Sequence, residues 1–189
     1  MSSPTRKIHP NLGSLSNLIT TKGVTTLDML LDYLRHLPYG RSSVRGQLDL
    51  VISEGKGTCS SKHALIASVA NEQGWDDIEL ILCVYKMHKG NTPGIGDVLD
   101  NSAIDYIPEA HCYVNIGQSK VDITSKEANI DRIEADILIE QAIIPDQVGG
   151  WKVEFHKNYI KEWLEIEQNS LDFDQIWGLR ESAIYNLEN

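Results

Sequence analysis

The sequence lacks any long apolar run. Its longest, Ile78 to Tyr85, is interrupted by Glu79 and falls far short of the roughly 20 residues a membrane-spanning helix needs. Met1 to Ser14 is polar and holds no apolar segment, so no secretory signal is predicted. Cysteine is scarce and odd in number: Cys59, Cys83 and Cys112 cannot pair off into a disulfide framework, which predicts a reducing, cytoplasmic setting. Positive charge is also short, with 17 Lys and Arg against 27 Asp and Glu and a formal net charge of -10. No basic stripe with interleaved aromatics is present, so neither a nucleic acid nor a membrane is expected as a partner. No repeat suggests a solenoid or a coiled coil. Gly94-Ile95-Gly96 is only a fragment of a dinucleotide fingerprint, and no cofactor is predicted from it.

What is present is an ordinary globular chain. It has 189 residues, 41% hydrophobic and 23% charged, which is enough for one domain spanning 1–189 with its own core. Charge is unevenly spread. Residues 1–58 hold 7 basic and 4 acidic side chains, residues 59–124 hold 4 and 9, and residues 125–189 hold 6 and 14. Only the first third is net positive, and the acidic last third reads as a solvated face.

The apolar pattern predicts helices first and strands afterwards, an α+β domain with an antiparallel sheet. After an N-terminal arm (1–24), Leu27, Leu30, Leu31 and Leu34 define a helix from Thr26 to Leu37, with Thr25 and Asp28 at capping-box spacing. A short helix is expected from Gln47 to Ser53. Gly57 then leads into Thr58, a helix N-cap residue, and a helix from there to Gln73 that stops at Gly74. Its small residues Ala64, Ala67, Ser68 and Ala70 mark it as central and closely packed. Ile78 to Lys86 reads as a strand covered on both faces. Residues 88–108 form an insertion with one short helix at Asp97 to Leu99, placed to border and gate a cleft. Glu109 to Ile116 and Lys120 to Ile123 form a hairpin turning at Gly117-Gln118. The C-terminal region, 125–189, is read as strands at Ile137–Ile144 and Lys152–Phe155, then helices at Asn158–Gln168 and Asp172–Asn189.

Chemistry concentrates at the start of the central helix. A thiol on the first turn, at Cys59, sits at the positive end of the helix dipole beside unpaired N–H groups, and both favour thiolate. Those N–H groups can also hold an oxyanion. Side-chain alternation puts His111, Tyr113 and Asn115 on one face of their strand, and a two-residue turn pairs Tyr113 with Asp122 and His111 with Thr124. Asp122 is then diagonal to His111 on the same face. Nucleophile, base and orienting acid are thereby available as Cys59, His111 and Asp122.

Gly57-Thr58-Cys59 opening a helix, then a strand bearing His111, then Asp122-Ile123-Thr124, resembles the transglutaminase-like superfamily. The likeness spans about Tyr39 to Thr124. The longer phrase through Pro38-Tyr39-Gly40-Arg41, Gly57 to His63 and Pro108-Glu109-Ala110-His111 is similar to an uncharacterised bacterial subgroup. The resemblance implies a papain-like core, with the cysteine helix packed on an antiparallel sheet and a Cys-His-Asp triad that acts on an amide. The separation of His111 from Asp122 is short for the superfamily, and the tryptophan common between them is absent. Hydrolysis of a peptide, glutamine or γ-glutamyl amide, or transfer of its acyl group to an amine, is therefore expected ahead of protein crosslinking. A module that binds a peptide or small amide without catalysis is the alternative.

Around this triad, Tyr39 and Gln47 are both candidates to complete the oxyanion site, with Arg41 and Arg45 as cations for a substrate carboxylate. His63, one turn after Cys59, is a further substrate-site candidate. Cys83 and Cys112 read as core packing. A metal held by Cys59, His63, His111 and Cys112 is not expected, because neighbouring strand residues point to opposite faces. His9, His36, His88 and His156 are read as solvated.

Overall fold

The computed structural model describes residues 5–167 and 170–188. Among them are seven α-helices and a four-stranded antiparallel sheet, a mixed α+β architecture. In chain order these are α1 (Ser14–Thr20), α2 (Leu27–His36), α3 (Asp49–Ser53), α4 (Cys59–Gln73), β1 (Ile78–Met87), β2 (Ile107–Ile116) and β3 (Ser119–Val121). They are followed by α5 (Asp131–Glu134), β4 (Ile137–Ile143), α6 (Gly150–Glu167) and α7 (Phe173–Glu188). No helix among the described residues is long and apolar enough to cross a membrane.

Sheet order is β3-β2-β1-β4, so β1 is central. Its two faces are apolar because each is covered. Leu80, Leu82 and Val84, with Ala110, Cys112 and Val114 from β2, join α4 and the N-terminal helices in one core. Ile81, Cys83, Tyr85 and Met87, with Ile107 and Tyr113, meet Ile160 and Trp163 of α6 and Ile176 and Ala183 of α7 in a second. Residues 8–24 belong to the first core through Ile8, Ile19 and Val24. The Glu72 carboxylate of α4 accepts from the N–H groups of Leu15 (3.0 Å) and Ser16 (2.7 Å), capping α1 from a neighbouring element.

Several boundaries differ from the sequence expectation. The cap of α2 is Thr26 rather than Thr25, its Oγ1 accepting from Met29 N–H at 3.3 Å. The short helix before Gly55 begins at Asp49, not Gln47. The insertion carries a 3-10 turn at Pro93–Ile95, and Asp97 to Leu99 is a turn, not a helix. Lys152–Phe155 is not a strand but part of the opening turns of α6, which starts eight residues before the expected Asn158. Four residues cannot separate a period of 2 from one of 3.6. Lys152, His156, Ile160 and Trp163 are the buried residues of α6, at helical spacing. The expected C-terminal residues of the last two helices, Gln168 and Asn189, lie outside the described residues.

The hairpin sets the positions of His111 and Asp122. Gly117 adopts φ +59 in its two-residue turn, and Ile116 pairs with Ser119, Asn115 with Lys120 and Val114 with Val121. β3 then ends. Beyond Val114 the outer edge of β2 is left to other partners, and side chains provide them: Lys152 Nζ donates to Ala110 O (2.6 Å) and His156 Nε2 to Pro108 O (2.7 Å). The start of α4 reaches the same edge, bringing Cys59 close to the Cys112 backbone.

Candidate active site

The turn bearing Cys59 is tightly built. Thr58 Oγ1 accepts from Ser61 N–H (3.3 Å) while Ser61 Oγ accepts from Thr58 N–H (2.9 Å), a reciprocal cap. Gly57 bridges in parallel to Tyr39. A Cβ on Gly57 would lie 2.8 Å from Lys62 Cγ and 3.2 Å from Val51 Cγ1, so only glycine allows α4 to start this close to the preceding chain. Lys62 N–H is bonded to Thr58 O, which leaves the N–H groups of Cys59 and Ser60 as the open donors at the helix start.

The structure brings Cys59, His111 and Asp122 together. His111 Nε2 is 2.9 Å from Asp122 Oδ2, so the ring nitrogen left for the Cys59 thiol is Nδ1. Asp122 lies just past β3, and its Oδ1 accepts from Thr124 N (2.9 Å) and Thr124 Oγ1 (2.6 Å), which fixes the carboxylate toward the ring. Both Asp122 and Cys59 are under a tenth exposed. Tyr85 stands edge-on to the imidazole at 6.1 Å.

The charge states of the trio are set by this contact. Burial works against a charged Cys59, but the charge and hydrogen bond of His111, the Lys152 ammonium and the Cys112 N–H outweigh it and draw the thiol down to about 6. Burial also opposes a charged His111, yet the Asp122 and Cys59 charges hold it well above its ordinary value. Asp122 in turn sits well below the carboxylate range, its burial overcome by His111. All three shifts favour the charged forms: thiolate, imidazolium and carboxylate. Cys83 behaves oppositely: burial drives its thiol up to about 12. Cys112, fully buried in the first core, is also raised by burial.

Two cavities open onto the sulfur. One, of about 290 Å³, is lined by Tyr39, Arg41, Arg45 and Gln47 together with Cys59, Ser60, Glu109, Lys152 and Arg180. The other, of about 420 Å³, is more apolar and holds His111 and Asp122 beside Tyr85, Met87, Ile133 and Leu187. Asn91 to Gly94 of the insertion also border it. The insertion is pinned there as a wall: Asn91 Nδ2 donates to Lys86 O and to Asp136 Oδ2, both at 2.8 Å, and Asn186 Nδ2 donates to Ile95 O at 2.7 Å.

The other sequence candidates fall in different places. Tyr39 lines both cavities, and burial and the neighbouring Cys59 charge raise its phenol well above the ordinary value, so it remains a neutral donor. Gln47 is exposed at the cavity mouth, turned toward Asp49. Arg41 is paired with Glu181 at 2.9 Å. Arg45 lines the cavity with no carboxylate partner among the described residues.

His63 is not a substrate group. It is fully buried under α4 and lines neither cavity: Nδ1 donates to Cys59 O at 2.7 Å, and Nε2 accepts from Ile123 N–H at 2.9 Å. The position that places it one turn from Cys59 turns it into the core. Lys62 beside it is also buried and donates to Leu37 O (2.7 Å) and Thr124 O (2.8 Å). The two together tie the nucleophile's helix to the segment carrying the acid.

His156 is not solvated either, being 3% exposed between β2 and α7. Sequence reading also missed Glu109, Lys152 and Arg180. Arg180 donates Nε and Nη2 to the Glu109 carboxylate, each at 2.8 Å, while His156 lies 3.8 Å from it. The alternation that paired His111 with Tyr113 also puts Glu109 on that face, a signal that was available. Nothing local announced Arg180, which is 71 residues away in the chain.

Among the described residues no group of three or more His, Cys, Asp or Glu is placed to hold a metal ion. Comparison of the chain with family models, with curated protein sequences and with solved structures found no match in any of the three.

Proposed function

We propose that the protein is a thiol hydrolase of amides, built on a papain-like core of the transglutaminase-like superfamily. The observation that carries this reading is Cys59 at the start of α4, in one cavity wall with an imidazole whose Nε2 is 2.9 Å from Asp122. The order Cys, His, Asp along the chain and the placement of acid and base on one hairpin support the family.

In this mechanism the Cys59 sulfur attacks the amide carbonyl carbon, and the new oxyanion is held by the Cys59 N–H and the Tyr39 hydroxyl. His111 gives its proton to the departing amine as the C–N bond breaks, leaving a thioester. Neutral His111 then takes a proton from water, whose oxygen adds to the thioester carbon. The acid leaves and thiolate and imidazolium are restored. Asp122 orients the ring and stabilises its charge throughout.

Iodoacetamide tests the nucleophile. Cys59 is expected to react well ahead of Cys83 and Cys112 at pH 7, with a rate that rises through about pH 6. Equal labelling of the three thiols would overturn the assignment. A screen of glutamine-containing and γ-glutamyl amides then reads turnover, which Cys59→Ala should abolish. Ligand binding without turnover in the unaltered chain would make the protein a binding module instead.

A further inference from the structure

The cavity on the Tyr39 side of Cys59 has the wrong charge for this protein. Four cationic side chains (Arg41, Arg45, Lys152, Arg180) line it against one carboxylate (Glu109) and the Cys59 thiol, in a chain of net charge -10. Glu109 is consumed by Arg180 in a two-pronged ion pair. Arg41 is held by Glu181, which lies outside the lining. Lys152 is buried and bonded to the Ala110 carbonyl, in no ion pair among the described residues. Arg45, exposed at the cavity mouth, has no ion-pair partner among the described residues, and partial desolvation with the neighbouring Arg41 and Arg180 charges lowers its pKa. The Ser42 hydroxyl, in the same lining, is buried without a partner.

An arginine without an ion-pair partner and an unpartnered hydroxyl at a small cavity, with the Lys152 ammonium beside them, make a site for an anion. The opposite cavity, beyond His111, is lined mostly by apolar atoms, so the two sides of the sulfur are chemically distinct. We infer that the acyl half of the substrate carries a free carboxylate, seated against Arg45 in the field of Lys152, while the amine half leaves on the His111 side. This rests on the thiol-hydrolase reading and narrows its substrates to amides of small acidic acyl groups. At about 290 Å³ the cavity admits an acyl group of amino-acid to dipeptide size.

Two alkylating agents of one shape test the idea, because iodoacetate carries the carboxylate and iodoacetamide does not. At low salt, the ratio of their rates at Cys59 should exceed the ratio for free cysteine at equal thiolate fraction. Arg45→Gln should lower that ratio about fivefold, Arg45→Lys should restore most of it, and about 0.5 M salt should flatten the difference. Lys22→Gln, an equal loss of charge outside the cavity, should leave the ratio where it was. An unchanged ratio in Arg45→Gln, with Cys59 still reacting rapidly with iodoacetamide, would overturn the anion site and leave the thiol hydrolase standing. A Cys59 inert to both agents would overturn both.

Discussion

His63 and His111 lie on either side of the same carboxylate, and they end in opposite charge states. His111 Nε2 is 2.9 Å from Asp122 Oδ2, and His63 Nε2 is 3.6 Å from Asp122 Oδ1. His63 is fully buried and His111 largely so, and burial alone lowers the basicity of each. The difference is in the remaining partners. His63 spends Nδ1–H on a backbone carbonyl and receives a backbone N–H at Nε2, so protonation would break a bond inside the core, and burial takes it down to about 4. His111 sits between a carboxylate and a thiol that is itself ready to ionise. Backbone partners lock a histidine neutral, whereas ionised ones hold it charged. One ring is bonded into the core, and the other faces the cavity that Cys59 lines.

The strongest way to break the contrast is at the shared carboxylate. Asp122→Asn removes the charge that sustains imidazolium, and with it the thiolate. Iodoacetamide labelling of Cys59 at pH 6.5 should fall about a hundredfold, as expected when a thiol near 6 returns toward its ordinary range. His63→Leu should act on stability instead: Ile123 N–H and Cys59 O lose their partner in the core, at a cost of about 3 kcal/mol in urea unfolding. The midpoint of its Cys59 labelling profile should stay near 6.

The same ring sets a pH dependence. His63 is neutral in the fold down to about 4 and titrates near 6.5 once unfolded, so between those values the unfolded chain binds more protons and stability falls as pH drops. Going from pH 6.5 to 5, His63 should account for about 2 kcal/mol of lost stability, measured as the difference between the unaltered chain and His63→Leu. A loss of the same size in the variant would assign the effect to other groups. Thr58→Ala should cost about 1 kcal/mol by removing the cap of α4. Arg41→Ala, which breaks a half-exposed pair with Glu181, should cost under about 1 kcal/mol in the same assay.

Much of the site's skeleton was legible because it is local. Thr58 and Gly57 mark a helix start, alternation assigns His111 a face, and the two-residue turn carries the chain back toward His111, although the ladder ends at Val121, before the expected pairs of Asp122 and Thr124. Each of these depends on residues within a few positions of one another. His63 and His156 were misplaced for a common reason: sequence shows spacing along an element but not which side of it the core will cover. The stretch Lys152–Phe155 failed differently, since four residues fit either period.

By itself, then, the sequence determined where the thiol helix begins, which strand faces pair, and that the chain forms helices around an antiparallel sheet. These come from capping, turn and alternation rules that act over short separations. Only the tertiary structure decided that β3 stops early, that Lys152, His156 and the start of α4 take over the abandoned edge of β2, and that Arg180 crosses the fold to meet Glu109. The Lys152, His156 and Arg180 contacts join residues 42, 48 and 71 positions apart. Packing alone sets them, because an edge N–H or C=O left without water accepts whichever donor or acceptor the surrounding layers deliver.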